Sequence, residues 1–533
     1  MLSITSYFSV HFMAIFLPVT IAAYAFLPQK LRRVVLLLSS YAFFWAVSGK
    51  LLIYLLLSTL SIHHFGLWIT DLQHRCDDAL EHALKEDRKS IKARHQRQQR
   101  WVVAFAVILH IGILVVLKYS TFFVTNLNTG FELLKLSTVL TVPSFALPIG
   151  ISFYTMQAVS YILDVYKQKA QADRNLFRLA LYMSFFPQIM EGPICRYGET
   201  AEQLWNAPPL EYRNLTFGLQ RVLFGVLKKM VVADRLNLLI SKVFNDYQDY
   251  DGFVIAVAAV CYTIQLYMDF SGTMDVALGT GQIFGVSLTE NFQRPFFSKT
   301  ISEFWKRWHI TLGAWFKDYI FYPISLSKPM KQLASKARKR LGHHFGALPA
   351  SAVALFCVWL CNGLWHGAGW SFIFFGMYHF ALILGGNIIE PFILKITGKL
   401  HISRTSPLYR GLQITRTTVL VCIGEMFFRA NGLRAGLEMF RKIITNFTFS
   451  TIAEKTFFSL GADLYDYIIV AIVLIIIFII GLQQEKGVLI RERISTKPVV
   501  LRYAVYYILI MTIVIFGAYG AGYIAVDPIY ASF

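Results

Sequence analysis

Two histidines stand among tryptophans in this chain. His309 closes the block Glu303-Phe304-Trp305-Lys306-Arg307-Trp308-His309, and His366 sits in Asn362-Gly363-Leu364-Trp365-His366-Gly367. An imidazole titrates near pH 6.5 and, kept neutral by burial, can accept a proton from a hydroxyl. A hydroxyl activated in this way attacks a carbonyl carbon, so acyl transfer is the chemistry these residues suit. His366 lies in an apolar run that begins near Leu348, and an ionisable group at membrane depth marks a functional site by default. Taken alone, a histidine on an apolar face is more often a packing residue. Glycines at 363, 367 and 369 leave room for a substrate to approach the ring. Lys306 and Arg307, beside His309, suit an inlet for an anionic donor such as a phosphopantetheine thioester, or simply an amphipathic helix at the membrane interface. His379, beyond His366, shares no evident helical face with it and ranks as secondary.

The elements that position these residues are membrane helices. Hydrophobic residues make up 56% of the 533 and charged residues only 15%, against roughly 25% charged in soluble chains. Apolar runs recur from Val10 to Tyr523. The fold class expected is all-α, a polytopic integral membrane protein. A span takes about 20 apolar residues, and candidates fall at 8–27, 34–48, 51–70, 101–124, 139–163, 176–190, 215–233, 253–270, 348–363, 370–389, 413–428, 466–483 and 502–525. The segments 34–48, 176–190, 348–363 and 413–428 are short, so about 11–13 helical segments are expected rather than a fixed count of spans. Phe8 to Leu27 reads as a retained first helix. One membrane-embedded domain over 1–533 is the economical organisation.

The net charge of +20 sits in short connections, which is the positive-inside pattern and not a nucleic-acid surface. Four connections carry it: Asp71–Arg100, which its composition also allows to be helical, Lys328–Arg340, Lys395–Arg416 and Lys486–Arg502. The first two are expected on the cytoplasmic side; all four read first as solvated loops that only set topology, with docking of a donor carrier on Lys328–Arg340 as the alternative. Six scattered cysteines form no CxxC pair, so neither a disulfide framework nor a metal site is expected.

Two stretches place helix breakers inside apolar sequence: Pro148-Ile149-Gly150, and Pro187 through Pro193. Freed backbone groups at membrane depth need neighbouring protein or a water-filled cavity, so both are expected to line an interior space, the alternative for each being an ordinary kink at a helix end. Gln265, Asp269 and Gly272 share one helical face, with Asp275 a turn further on. Asp269 reads as a structural partner for Arg or Trp N–H groups rather than a catalyst.

These blocks, together with Gln265 to Gly272, Glu290 to Pro295 and Trp315-Phe316-Lys317-Asp318-Tyr319, resemble the membrane-bound O-acyltransferase family, in its bacterial alginate and polysaccharide O-acetylation branch. The likeness covers roughly 147–428; helices within 1–124 and 466–525 lie outside this core. The resemblance implies helices ringed around a central tunnel, in a multi-pass protein of the bacterial plasma membrane. It implies a cytoplasmic donor, acetyl-CoA or another acyl thioester, and no permanently bound cofactor or metal. The acceptor implied is an extracytoplasmic polysaccharide, reached directly or through a partner acetyltransferase. His366 matches the family's catalytic histidine and His309 its second active-site position. Trp305, Arg307, Trp308, Asp318, Asn362 and Trp365 are the candidate substrate-binding residues in the same motifs. D-alanyl transfer to teichoic acid is the nearest alternative, although segments 466–483 and 502–525 favour the polysaccharide branch. A transporter of polymer or lipid is a third reading, against which stands the lack of any repeat relating the two halves.

Overall fold

The computed structural model describes residues 4–449 and 457–519. Among them the regular structure is helical, apart from one isolated antiparallel bridge between Phe292 and Trp308. Among the described residues, seven helical stretches are long and apolar enough to cross a membrane. The first, Gln29–Glu81, holds 53 residues, about 80 Å at 1.5 Å per residue and far beyond the hydrocarbon thickness. Gly49, at φ 53°, breaks it into α1 (Gln29–Ser48) and α2 (Leu52–Glu81), close to the two segments expected there. The chain divides into two compact units, one within Met1–Val222 and Val276–Thr289, the other within Leu223–Asp275 and Glu290–Ile529.

In the first unit, α3 (Arg88–Leu133) follows α2 after a short break, so Asp71–Arg100 is largely helical. The segment expected at 139–163 begins later. The stretch with Pro143 and Pro148 has no regular structure, and α4 runs Ile151–Tyr166, starting from Gly150 at φ 67°. Left-handed geometry there favours glycine, and a Cβ on Gly150 would lie 1.8 Å from the Ile189 carbonyl oxygen. Ile189 belongs to the second broken stretch, so the two interruptions pack on each other. The 176–190 segment is itself split into α5 (Leu176–Ser184) and a single turn, Phe186–Ile189. Neighbouring side chains satisfy the freed groups. Ser40 Oγ accepts from Phe186 N–H, Tyr7 Oη donates to Phe186 O, and Gln188 Nε2 donates to Tyr182 O. Protein supplies the partners that hydrocarbon cannot.

The second unit contains the histidines. A π-turn at Lys228–Ala233 leads into α6 (Asp234–Asn245). It is followed by α7 (Gly252–Ile283), whose residues up to Asp275 belong to this unit. Lys228 pairs with Asp275 at 2.7 Å, and Lys229 bridges Asp234 at 2.6 Å and Asp269 at 2.9 Å. Asp269 is thus a structural partner, held by a lysine where Arg or Trp had been expected. Gly272 belongs to the same face, with a Cβ there falling 2.8 Å from Gly225 O. Next come α8 (Ile301–Arg307), α9 (Ile310–Phe316), α10 (Lys328–His366) and α11 (Trp370–Lys399). Lys328–Arg340, expected as a loop, is the first arm of α10, which bends at Gly342 (φ 76°). The unit continues with α12 (Pro407–Arg429), α13 (Leu433–Thr445), α14 (Leu464–Glu485) and α15 (Val499–Phe516). The segment expected at 502–525 thus falls within α15 as far as Phe516, and 520–525 lies outside the described residues.

Candidate active site

His309 follows Trp308 in the two-residue link between α8 and α9, at φ 49° and ψ 51°. Thr300 caps the start of α8 by accepting from Glu303 N–H, and the turn after Arg307 is fastened to the Asn291 segment. Ile310 N–H donates to Asn291 O at 3.0 Å and Gln293 N–H to Arg307 O at 2.9 Å. This ladder fixes the left-handed residue and aims its ring inward, leaving it 2% exposed. Asn291 Oδ1 accepts from Thr311 N–H at 3.0 Å and Thr311 Oγ1 at 2.9 Å, and lies 3.4 Å from His309 Nδ1. Because a backbone N–H can only donate, that amide oxygen is an acceptor. Nδ1 therefore carries the proton and Nε2 is the acceptor of the His309 ring. Burial pushes this imidazole down to about 3, so it is neutral at physiological pH.

His366 ends α10 and is 2% exposed. Its ring meets Trp365 at 5.0 Å, Phe428 of α12 at 5.1 Å and Phe375 of α11 at 5.8 Å, each edge to face. Trp365 also packs edge to face on His309 at 5.4 Å, and Phe270 closes the other side of His309 at 4.9 Å. Two histidines 57 positions apart are thus brought onto one tryptophan, inside an aromatic shell. Asn362, one turn before His366 and 6% exposed, has an Oδ1 that makes no hydrogen bond among the described residues.

The glycines beside His366 do a different job from the one expected. A Cβ on Gly363 would lie 2.5 Å from Phe372 O, and one on Gly367 would lie 2.3 Å from the Phe372 ring. On the facing helix, a Cβ on Gly376 would lie 2.3 Å from Trp359 O. Gly363, Gly367 and Gly376 permit the close crossing of α10 and α11, and the space beside the first two is filled by Phe372. Gly369 has only ordinary contact, 3.4 Å from that ring.

The remaining sequence candidates divide. Trp308 is buried, in contact with Phe292, Phe304 and Tyr267. Arg307 is held by Glu303 and Glu485, each at 2.8 Å, which ties α8 to α14. Asp318 is half-buried in the π-turn Lys317–Phe321. Trp305 Nε1–H donates to His379 Nδ1 at 3.2 Å. An indole can only donate, so His379 carries its proton on Nε2, the opposite tautomer to His309. His379 is fully buried and packs on Phe375 at 4.7 Å, one ring removed from His366.

A family model for the membrane-bound O-acyltransferases matches residues 40–338. That match includes His309 and stops before His366. Over a longer stretch, the chain is 30% identical to a probable alginate O-acetylase of Pseudomonas aeruginosa, covering 83% of this chain and 74% of the relative. The chain belongs to the membrane-bound O-acyltransferase family. Other relatives include a peptidoglycan O-acetyltransferase of Helicobacter pylori, 30% identical over 64% of each chain. A teichoic acid D-alanyltransferase of Bacillus subtilis is 28% identical over 46% of this chain and 60% of the relative.

Within this O-acyltransferase, sequence reasoning passed over four residues that shape the site. Asn291 sets the His309 tautomer and was visible only as part of the Glu290 to Pro295 block. Phe428 and Phe375 are indistinguishable in sequence from other apolar helix residues. Glu425, one turn before Phe428, is 1% exposed and its Oε2 has no hydrogen-bond partner among the described residues. A lone carboxylate in an apolar segment is the signal that singled out Asp269, and it applies equally to Glu425.

Proposed function

We propose that this chain moves an acetyl group from a cytoplasmic thioester, acetyl-CoA or an acylated carrier, to a hydroxyl of an extracytoplasmic cell-surface polysaccharide. The observation that carries the reading is the meeting of His309 and His366 on Trp365 in a buried aromatic shell. His366 takes the proton of the accepting hydroxyl as its oxygen bonds to the thioester carbonyl carbon. The carbon–sulfur bond then breaks, and the departing thiolate recovers that proton. His309, neutral and with its acceptor nitrogen at Nε2, suits orienting the incoming hydroxyl better than donating to an oxyanion. The Asn362 amide, one turn from His366, is the polar group best suited to the carbonyl oxygen. The aromatic walls keep bulk water from competing as the nucleophile.

Acetyl is favoured over D-alanyl because the O-acetylating relatives match more of the chain, 83% and 64% against 46% and 54% for two teichoic acid D-alanyltransferases. A separate extracytoplasmic acetyltransferase that completes the transfer belongs to the same proposal. The test offers the purified protein radiolabelled acetyl-CoA and, separately, a D-alanyl carrier protein, each with polysaccharide acceptor. Label transfer from acetyl-CoA is expected; transfer from the D-alanyl carrier alone would reassign the substrate.

A further inference from the structure

Away from the histidines, the kink in α10 builds a second feature. Gly342 turns the chain so that Gly346 abuts the first arm, where a Cβ would lie 2.3 Å from Arg338 Cα. Between the two arms and the turn Tyr322–Ser325 is a cleft of about 720 Å³. Lys331, Arg338 and Lys339 line it from the first arm, Ala350 and Ser351 from the second, Ser325 from the turn and Leu326 just past it. No Asp or Glu occurs between Asp318 and Glu390, and among the described residues no carboxylate pairs with any of the three cations. Three exposed cations converging on one cleft without a counter-charge form a phosphate-binding arrangement.

We propose that this cleft binds the phosphodiester headgroup of an acidic membrane phospholipid. Its second arm is the head of the apolar run from Leu348, so the cations stand where a membrane helix emerges, at the level of lipid phosphates. Its flanks are apolar as well as basic. Leu326 is 60% exposed at the cleft and Ala350 is buried in its lining, surfaces that suit the glycerol and first acyl carbons of a lipid. A soluble nucleotide or pantetheine phosphate would use the cations and leave these flanks bare. Bound lipid would hold the two arms of α10 together across Gly342, on the helix that ends in His366.

The test uses the full chain in neutral detergent, titrated with short-chain phosphatidylglycerol or phosphatidylcholine and read by native mass spectrometry at low salt. Phosphatidylglycerol is expected to be retained preferentially. In K331Q/R338Q/K339Q that retention is expected to fall roughly a hundredfold, at about fivefold per cation, and less at high salt. K331R/K339R keeps the charge and is expected to keep the lipid. R88Q/K89Q/K92Q, which removes equal charge from exposed positions on α3, is expected to match wild type. If the triple cleft variant fails to fold, K331Q and R338Q alone are each expected to show the fivefold loss. Equal retention in the cleft variants and wild type would overturn the proposal. So would coenzyme A binding that depends on these cations while phosphatidylglycerol retention does not.

Discussion

Gly363→Ala is the substitution that best separates packing from chemistry beside His366. The added methyl would start 2.5 Å from Phe372 O, and ordinary contact lies nearly 1 Å further out. The obstacle is backbone on the facing helix, so relief requires α10 and α11 to separate. Overpacking of this kind costs about 1–3 kcal/mol. Gly376→Ala meets Trp359 O at 2.3 Å and is expected to behave alike. Gly369→Ala, with its nearest neighbour at 3.4 Å, is expected to cost little. Thermal unfolding of each purified variant in detergent gives the stability, and acyl transfer per folded molecule gives the chemistry. Melting temperature is expected to drop for positions 363 and 376 and to hold for 369. A Gly363→Ala protein with wild-type melting and abolished transfer would refute the packing role and restore glycine as clearance for substrate.

Further outcomes follow from the same geometry. Lys229→Met leaves Asp234 and Asp269 buried without their shared cation, and a loss of about 3–5 kcal/mol is expected, read as poor recovery and early thermal unfolding; the triple variant with both carboxylates changed to Asn should regain much of it. Trp305→Phe removes the donor to His379 Nδ1 and leaves that nitrogen buried, with an expected cost of about 1–3 kcal/mol and reduced transfer. Burial holds His309 near 3, against about 6.5 unfolded, so the unfolded chain binds the extra proton between those values. Its contribution to stability therefore rises with pH across that window and is complete above it. Melting measured at pH 5 and pH 7 is expected to show a smaller pH difference in His309→Gln than in wild type.

The sequence displayed the membrane class, most helical segments and both histidines, because apolar length and motif chemistry are local properties. What it could not display was pairing. Nothing in the spacing of His309 and His366 says that Trp365 touches both, since that depends on how α8, α9 and α10 cross. The need of Asp269 for a partner was legible; that Lys229, forty positions upstream, supplies it was not. Glycines near His366 looked like clearance because a sequence shows the missing side chain and not the Phe372 backbone that fills the gap. The arm Lys328–Arg340 looked like a loop because its charge hid good helix formers, including Lys, Gln, Ala and Arg.

The most direct measurement compares wild type with His366→Ala and His366→Gln, using purified protein in nanodiscs and radiolabelled acetyl-CoA with a polysaccharide acceptor. Transfer is expected to vanish in both variants while melting temperature stays within a few degrees of wild type. Transfer at the wild-type rate in either folded variant would make His366 a packing residue and contradict the proposed chemistry.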